Sequence, residues 1–167
     1  MSRKSIHADD KNIAFLIARL LTERKQTLAL AESCTGGFIT NQITNVPGAS
    51  KIFLGGVVSY SNKSKQKFLG VRRETLKNFG AVSAATAREM AEGARKKFGA
   101  DFALAVTGIA GPTGGTKSKP MGTVFIALAG AFETVVERKL NRFTREKFKQ
   151  VTAWQTLELL RANLFSA

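Results

Sequence analysis

The sequence predicts the α/β class: a single three-layer α/β/α domain over residues 1–167, built on a mixed sheet. Three observations carry this prediction. Apolar segments of strand length alternate with helical periodicities early in the chain. Two strand-like segments late in the chain are separated by a short turn, which reads as an antiparallel hairpin. A helical periodicity then closes the chain, so helices are available for both faces of a sheet.

Taken in order, Ile13, Phe15, Leu16, Ile17, Leu20 and Leu21 recur at helical spacing, predicting a helix from Asp10 to about Lys25 capped by Asp9 or Asp10. Thr27–Ala31 is a short apolar strand running into the turn Glu32-Ser33-Cys34-Thr35-Gly36-Gly37 and a second helix. Val46-Pro47-Gly48-Ala49-Ser50 is a loop punctuated by proline and glycine. Val57, Val58 and Tyr60 suit a strand, and Ser61 or Asn62 caps a short helix through Leu69. Ser83 caps a helix from Ala84 to Phe98 that ends at Gly99. Phe102–Val106 is a buried strand, followed by the glycine-rich loop Gly108 to Gly115. Val124–Ala129 and Thr134–Leu140 form the hairpin about Gly130-Ala131. Thr144 caps a last helix carrying Val151, Trp154, Leu157 and Leu160. The predicted order is αβαβααβββα.

Composition narrows the class further. Hydrophobic residues make up 44% and charged residues 23%, as in globular proteins. No apolar run approaches the ~18 residues that span a bilayer, because Arg19 interrupts Ile13–Leu21. The segment Met1 to Asp10 has no apolar core of a secretion signal, so a cytoplasmic location is expected and no membrane partner. A single cysteine excludes an internal disulfide framework. Twenty-six basic residues against 12 acidic give a formal charge of +14. That excess is compatible with nucleic acid, with an acidic small substrate, or with a solvated basic face. No recognition helix, zinc-finger spacing or stacking-aromatic pattern accompanies it, so the solvated face is favoured.

The residue inventory limits the chemistry. The only histidine, His7, lies in the polar N-terminal segment. A Ser-His-Asp or Cys-His arrangement is therefore not expected, and one Cys with one His is too few for zinc. No paired-acid motif marks a magnesium site, so neither metal nor cofactor is expected. A metal-free hydrolase built from these residues needs a hydroxyl nucleophile with a lysine or tyrosine base. Gly111-Pro112-Thr113-Gly114-Gly115-Thr116-Lys117-Ser118 imitates a phosphate loop, but Thr116 replaces the second glycine and Pro112 removes a backbone donor. Cys34 has no histidine partner and reads as a packed, inert thiol.

At Ala31-Glu32-Ser33-Cys34-Thr35-Gly36-Gly37 the chain resembles the CinA C-terminal domain family, bacterial nicotinamide mononucleotide deamidases. Four further segments agree in order and spacing: Val46–Ser50, Tyr60–Lys65, Gly80–Ser83, and Thr107–Gly115 with Lys119–Val124. The resemblance implies hydrolysis of the nicotinamide carboxamide, giving the nicotinic acid nucleotide and ammonia. It implies roles for Ser33, Ser50, Tyr60, Lys65, Thr107 and Arg145. In the expected mechanism Ser50 attacks the amide carbon, Lys65 takes its proton, and Tyr60 relays or stabilises that proton. Ser33 is the rival nucleophile or an oxyanion and positioning group, with Thr35 and Gly36 beside it. Gly108 and Gly111, after a buried strand, let backbone approach the substrate.

Where relatives often carry Gly-Asp-Arg, this chain reads Phe143-Thr144-Arg145, which leaves Arg142 beside Arg145 as the phosphate contact. The resemblance also implies a homodimer. Two readings compete with the enzyme: a nucleotide-binding module without turnover, and a basic nucleic-acid-associated protein.

Overall fold

The computed structural model describes residues 6–166, with side chains from residue 13 to residue 165. Its elements are α1 (Ile6–Arg24), β1 (Leu28–Glu32), α2 (Phe38–Thr44), β2 (Phe53–Val58), α3 (Asn62–Leu69), α4 (Arg73–Phe79), α5 (Ala84–Phe98), β3 (Phe102–Gly108), β4 (Thr123–Ala129), β5 (Thr134–Leu140) and α6 (Arg145–Ser166). The five strands form one sheet in the order β2-β1-β3-β4-β5. β1 pairs in parallel with β2 and β3, whereas β4 is antiparallel to β3 and to β5. The mixed sheet and the late hairpin are as the sequence predicts.

Side-chain alternation gives the sheet two unlike faces. Leu28, Leu30, Leu104, Val106, Val124, Ile126 and Leu128 point to one core, which α1, α2 and α6 cover with Ile17, Leu21, Ile39, Phe148, Leu157 and Leu160. The intervening residues Ala29, Ala31, Ala103, Ala105, Ala127 and Ala129 face the other core, against Ala87, Met90, Ala91 and Ala94 of α5. Short side chains on both sides let α5 lie close to the strands. This produces the expected three layers.

Helix ends follow the sequence closely in the middle of the chain. Ser61 accepts from the Ser64 N–H in a capping box, and Ser83 accepts from the Thr86 N–H. Gly70 and Gly99 end α3 and α5 in the left-handed conformation.

Four expectations are corrected. First, α1 already includes Asp9 and Asp10, so neither caps it; the side chains of His7, Asp9 and Asp10 lie outside the described residues. Second, Ala49–Lys51 forms a single 3₁₀ turn within the predicted loop. Third, α4 was not anticipated: Leu76 is its only buried apolar side chain, and its start has no side-chain cap. Fourth, Trp154 stays 38% exposed on α6, because Ala153 and Leu157 take the buried positions.

The tightest backbone approach lies between α3 and α5. A β-carbon on Gly93 would sit 1.8 Å from the Leu69 carbonyl oxygen, so nothing larger than hydrogen fits without moving a helix. Gly93→Ala is expected to destabilise the fold by about 2–3 kcal/mol, beyond the gain in helix propensity. Urea unfolding of the variant checks this, and an unchanged midpoint would count against the close contact.

Candidate active site

The chain passes from β1 to β2 on one flank and returns across β1 to β3 on the other, so the direction of strand addition reverses at β1. Such a reversal opens a crevice at the carboxyl ends of the strands, where open α/β sheets bind ligands. A cavity of about 330 Å³ occupies that position. It is lined by Ser33 and Cys34 after β1, Tyr60 after β2, Lys65 of α3, the Thr107–Gly114 loop after β3, and Arg145 of α6. Its volume falls within the range of about 300–1,000 Å³ usual for small-molecule sites. A larger groove of about 660 Å³ between α1 and α6, lined by Phe15, Trp154 and Arg161 among others, brings no nucleophile to a base.

Lys65 is the largest side chain wholly enclosed here, only 1% exposed. Its Nζ donates to the Ser59 carbonyl at 2.6 Å and lies 2.9 Å from Ser33 Oγ. The strand ladder explains this meeting. β1 and β2 pair as far as Glu32 and Val58, and the Ser59 N–H donates to the Glu32 carbonyl at 2.7 Å. Ser59 is thereby fixed beside Ser33, and α3 returns Lys65 to both. Burial lowers the pKa of Lys65 below its usual 10.5, because the ammonium loses water it cannot replace. With a neutral amine, the Ser59 carbonyl takes one N–H, and the nitrogen lone pair is left to accept from the Ser33 hydroxyl.

Glu32 organises the turn that carries Ser33. Its buried carboxylate accepts from Thr35 Oγ1 at 2.6 Å, the Gly37 N–H at 2.9 Å and the Ile39 N–H at 3.2 Å on one oxygen. The other oxygen accepts from the Thr40 N–H and from Thr40 Oγ1, both at 2.7 Å. The carboxylate thus satisfies the orphan donors at the start of α2. Sequence reasoning gave Glu32 and Ser59 no role. A signal existed for Glu32, an acid set just before a Thr-Gly-Gly helix start; none marks Ser59, which acts through its backbone.

The remaining predicted residues are placed as follows. Ser50 is exposed on the 3₁₀ turn and lines a separate cavity with Asn45, Pro47 and Phe53, so this chain does not bring it to Lys65. The serine within hydrogen-bond distance of Lys65 is Ser33 and not the expected Ser50, because the β1–β2 ladder ends there. Tyr60 is 59% exposed, and its hydroxyl accepts from Arg145 Nη2 instead of touching Lys65. Arg145 Nη1 donates to the Gly111 carbonyl at 2.8 Å. Arg142 is exposed and does not line the cavity. Thr107 Oγ1 donates to the Ala81 carbonyl at 2.7 Å, which anchors the segment before α5. Gly108 and Gly111 line the cavity, while Thr35 serves Glu32 and Gly36 lies exposed on the turn.

Two decoys resolve. The Gly111–Ser118 loop leads into β4, whereas a phosphate loop opens a helix. Cys34 is buried, and burial pushes its thiol up to about 12, so it stays protonated. Among the described residues, no three His, Cys, Asp or Glu side chains gather where a metal ion could be held. No helix among them is long and apolar enough to cross a membrane.

Fold and crevice together define an open α/β protein with a cavity of small-molecule size at the switch point of its sheet. Residues 10–164 match the CinA C-terminal domain, and the chain belongs to that family. A competence-damage inducible protein of Thermoanaerobacter sp. is 47% identical over 156 residues, covering 93% of this chain and 38% of the relative. A CinA-like protein of Endomicrobium trichonymphae is 49% identical over 158 residues, covering 95% of this chain and 37% of the relative. The chain thus spans less than two fifths of the length of these curated relatives. Crystal structures give the same fold. The competence/damage inducible protein CihA of Agrobacterium tumefaciens superposes with a TM-score of 0.90 at 39% identity, covering 92% of this chain and 94% of that one. A CinA superfamily protein of Klebsiella pneumoniae gives 0.91 at 32% identity, covering 95% and 99%.

Both oxygens of Glu32 face N–H donors, so no orientation of an amide fits in its place. Glu32→Gln is expected to cost about 2–3 kcal/mol in denaturant unfolding, from one donor forced against another. A midpoint equal to wild type would remove Glu32 as the organiser of the turn.

Proposed function

We propose that this chain is an amidohydrolase that hydrolyses the carboxamide of nicotinamide mononucleotide to the carboxylate and ammonia. The observation that carries the reading is a buried lysine amine 2.9 Å from the Ser33 hydroxyl at the wall of a ligand-sized cavity. The reaction itself is suggested by family membership.

In the proposed mechanism Ser33 Oγ attacks the carboxamide carbon while the neutral Lys65 amine takes its proton. The negative charge that develops on the carboxamide oxygen needs nearby donors. The Cys34 N–H, next to the nucleophile in the chain, is one candidate. Lys65 then gives the proton to the departing nitrogen, and ammonia leaves an acyl ester on Ser33. Water, deprotonated by Lys65, cleaves that ester; the nicotinic acid nucleotide departs and Ser33 regains its proton. The carbonyl of Ser59 keeps the amine aimed throughout. Tyr60 and Arg145 hold the cavity mouth through their mutual hydrogen bond.

Ammonia release from nicotinamide mononucleotide, with chelator present, tests the reading. Ser33→Ala and Lys65→Met are each expected to lose at least about a thousandfold in kcat, the scale of a missing nucleophile or base. Activity abolished by Ser50→Ala but retained in Ser33→Ala would reverse the assignment. No release by the wild type would leave a nucleotide-binding domain without turnover.

The working form of Lys65 is the free base. Activity should therefore rise with pH through its lowered pKa, on a limb that lies below 10.5. The same shift opposes folding at lower pH. As pH falls from 10.5 towards the folded-state value, the unfolded chain binds a proton that the folded chain refuses; stability drops across that window and levels off below it. A kcat/KM profile with no rising limb anywhere below pH 10.5, or one whose limb is unchanged in Lys65→Met, would rule Lys65 out as the base.

A further inference from the structure

One cation of α6, Arg145, lines the cavity, and a second, Lys149, stands one helical turn further along, beside the turn that carries Ser33. Arg145 donates to the Gly111 carbonyl and to the Tyr60 hydroxyl, so its guanidinium ties the loop after β3 to the end of β2. Lys149 follows four residues later, on the same face of the helix. Its Nζ lies 3.6 Å from the point where a side chain on Gly36 would begin. Gly36 itself has φ of +63° and stands exposed on the turn whose first residue is Ser33.

Lys149 is half-buried, and among the described residues no carboxylate lies within 4.0 Å of its amine. The acid nearest in sequence to Ser33, Glu32, is already occupied by five donors. Glu146, on the first turn of α6, is exposed. A partly desolvated ammonium beside bare glycine backbone gains most from an anion, and charge-assisted hydrogen bonds are the strong ones.

We propose that Lys149 is a specificity-determining residue that binds the phosphate of the substrate where α6 passes Gly36. This rests on the amidase reading of the same cavity and names the feature that separates a nucleotide from its riboside. Ser33 then addresses the carboxamide from the start of the turn, and Lys149 meets the phosphate at Gly36, three residues on. The absence of a side chain at Gly36 leaves the amine open to the ligand. Arg145 shapes the mouth through Tyr60 and Gly111, and the phosphate falls to Lys149.

The test is calorimetric titration of nicotinamide mononucleotide, nicotinamide riboside and ribose 5-phosphate. Each ligand is titrated into Ser33→Ala protein with Lys149 intact, as Lys149→Met and as Lys149→Arg. Lys149→Met is expected to raise Kd for both phosphorylated ligands roughly tenfold and to leave the riboside unchanged. Lys149→Arg is expected to restore most of the phosphate affinity, which a loss of fold would not do. Equal weakening of nucleotide and riboside, or nucleotide affinity indifferent to Lys149, overturns the assignment. Ammonia release by the wild type is scored separately. Phosphate-dependent binding without release removes the amidase and keeps the anion site; release with Lys149-independent binding removes the anion site and keeps the amidase.

Discussion

A carboxylate enclosed at the end of β1 and filled by five hydrogen bonds governs the positions of Ser33 and of the support beneath Lys65. Through its side chain Glu32 shapes the turn that presents Ser33 and starts α2. Its backbone carbonyl receives the Ser59 N–H, and the Ser59 carbonyl in turn receives Lys65. One residue therefore sets both the hydroxyl and the support of the amine beside it. An unpaired carboxylate in such a place would be costly; here its lone pairs are occupied by donors that the start of α2 would otherwise leave unmet.

Burial at the cavity wall acts on two neighbouring groups and disfavours the charged form of each. It holds the Lys65 amine below its usual pKa and pushes the Cys34 thiol up to about 12. The consequences for reactivity are opposite. A lysine that gives up its proton more readily is better suited to act as a base, whereas a thiol that keeps its proton is a spectator. The Ser33 hydroxyl is the group that meets the Lys65 amine there, although sulfur is adjacent in sequence. The environment, more than the residue inventory, selects serine.

Much of the fold was legible because its signals are local. Ser61, Ser83, Gly70 and Gly99 mark helix ends by chemistry confined to one turn, and the hairpin about Gly130-Ala131 needs no distant partner. α4 escaped notice because one buried leucine in seven residues gives no periodicity to read. The motifs at Ser33, Lys65 and Arg145 meet at one cavity, yet pairing within it depends on register. Whether Ser33 or Ser50 meets Lys65 is decided by where the β1–β2 ladder stops, which no spacing in the chain encodes. Ser59 was invisible for a related reason: its contribution is a carbonyl, which any residue supplies.

The alanine face of the sheet has a bearing on how this sequence can drift. Ala29, Ala31, Ala103, Ala105, Ala127 and Ala129 meet α5 at a separation that short side chains alone permit, and Gly93 holds α3 equally near. Replacement by a larger residue forces helices apart, and replacement by glycine loosens the strand. The leucine face is under a milder rule, since Leu, Ile and Met exchange at nearly constant volume. Variation tolerated by this core should therefore be lopsided, rich beneath α1 and α6 and nearly frozen beneath α5, for reasons of thickness unconnected with catalysis.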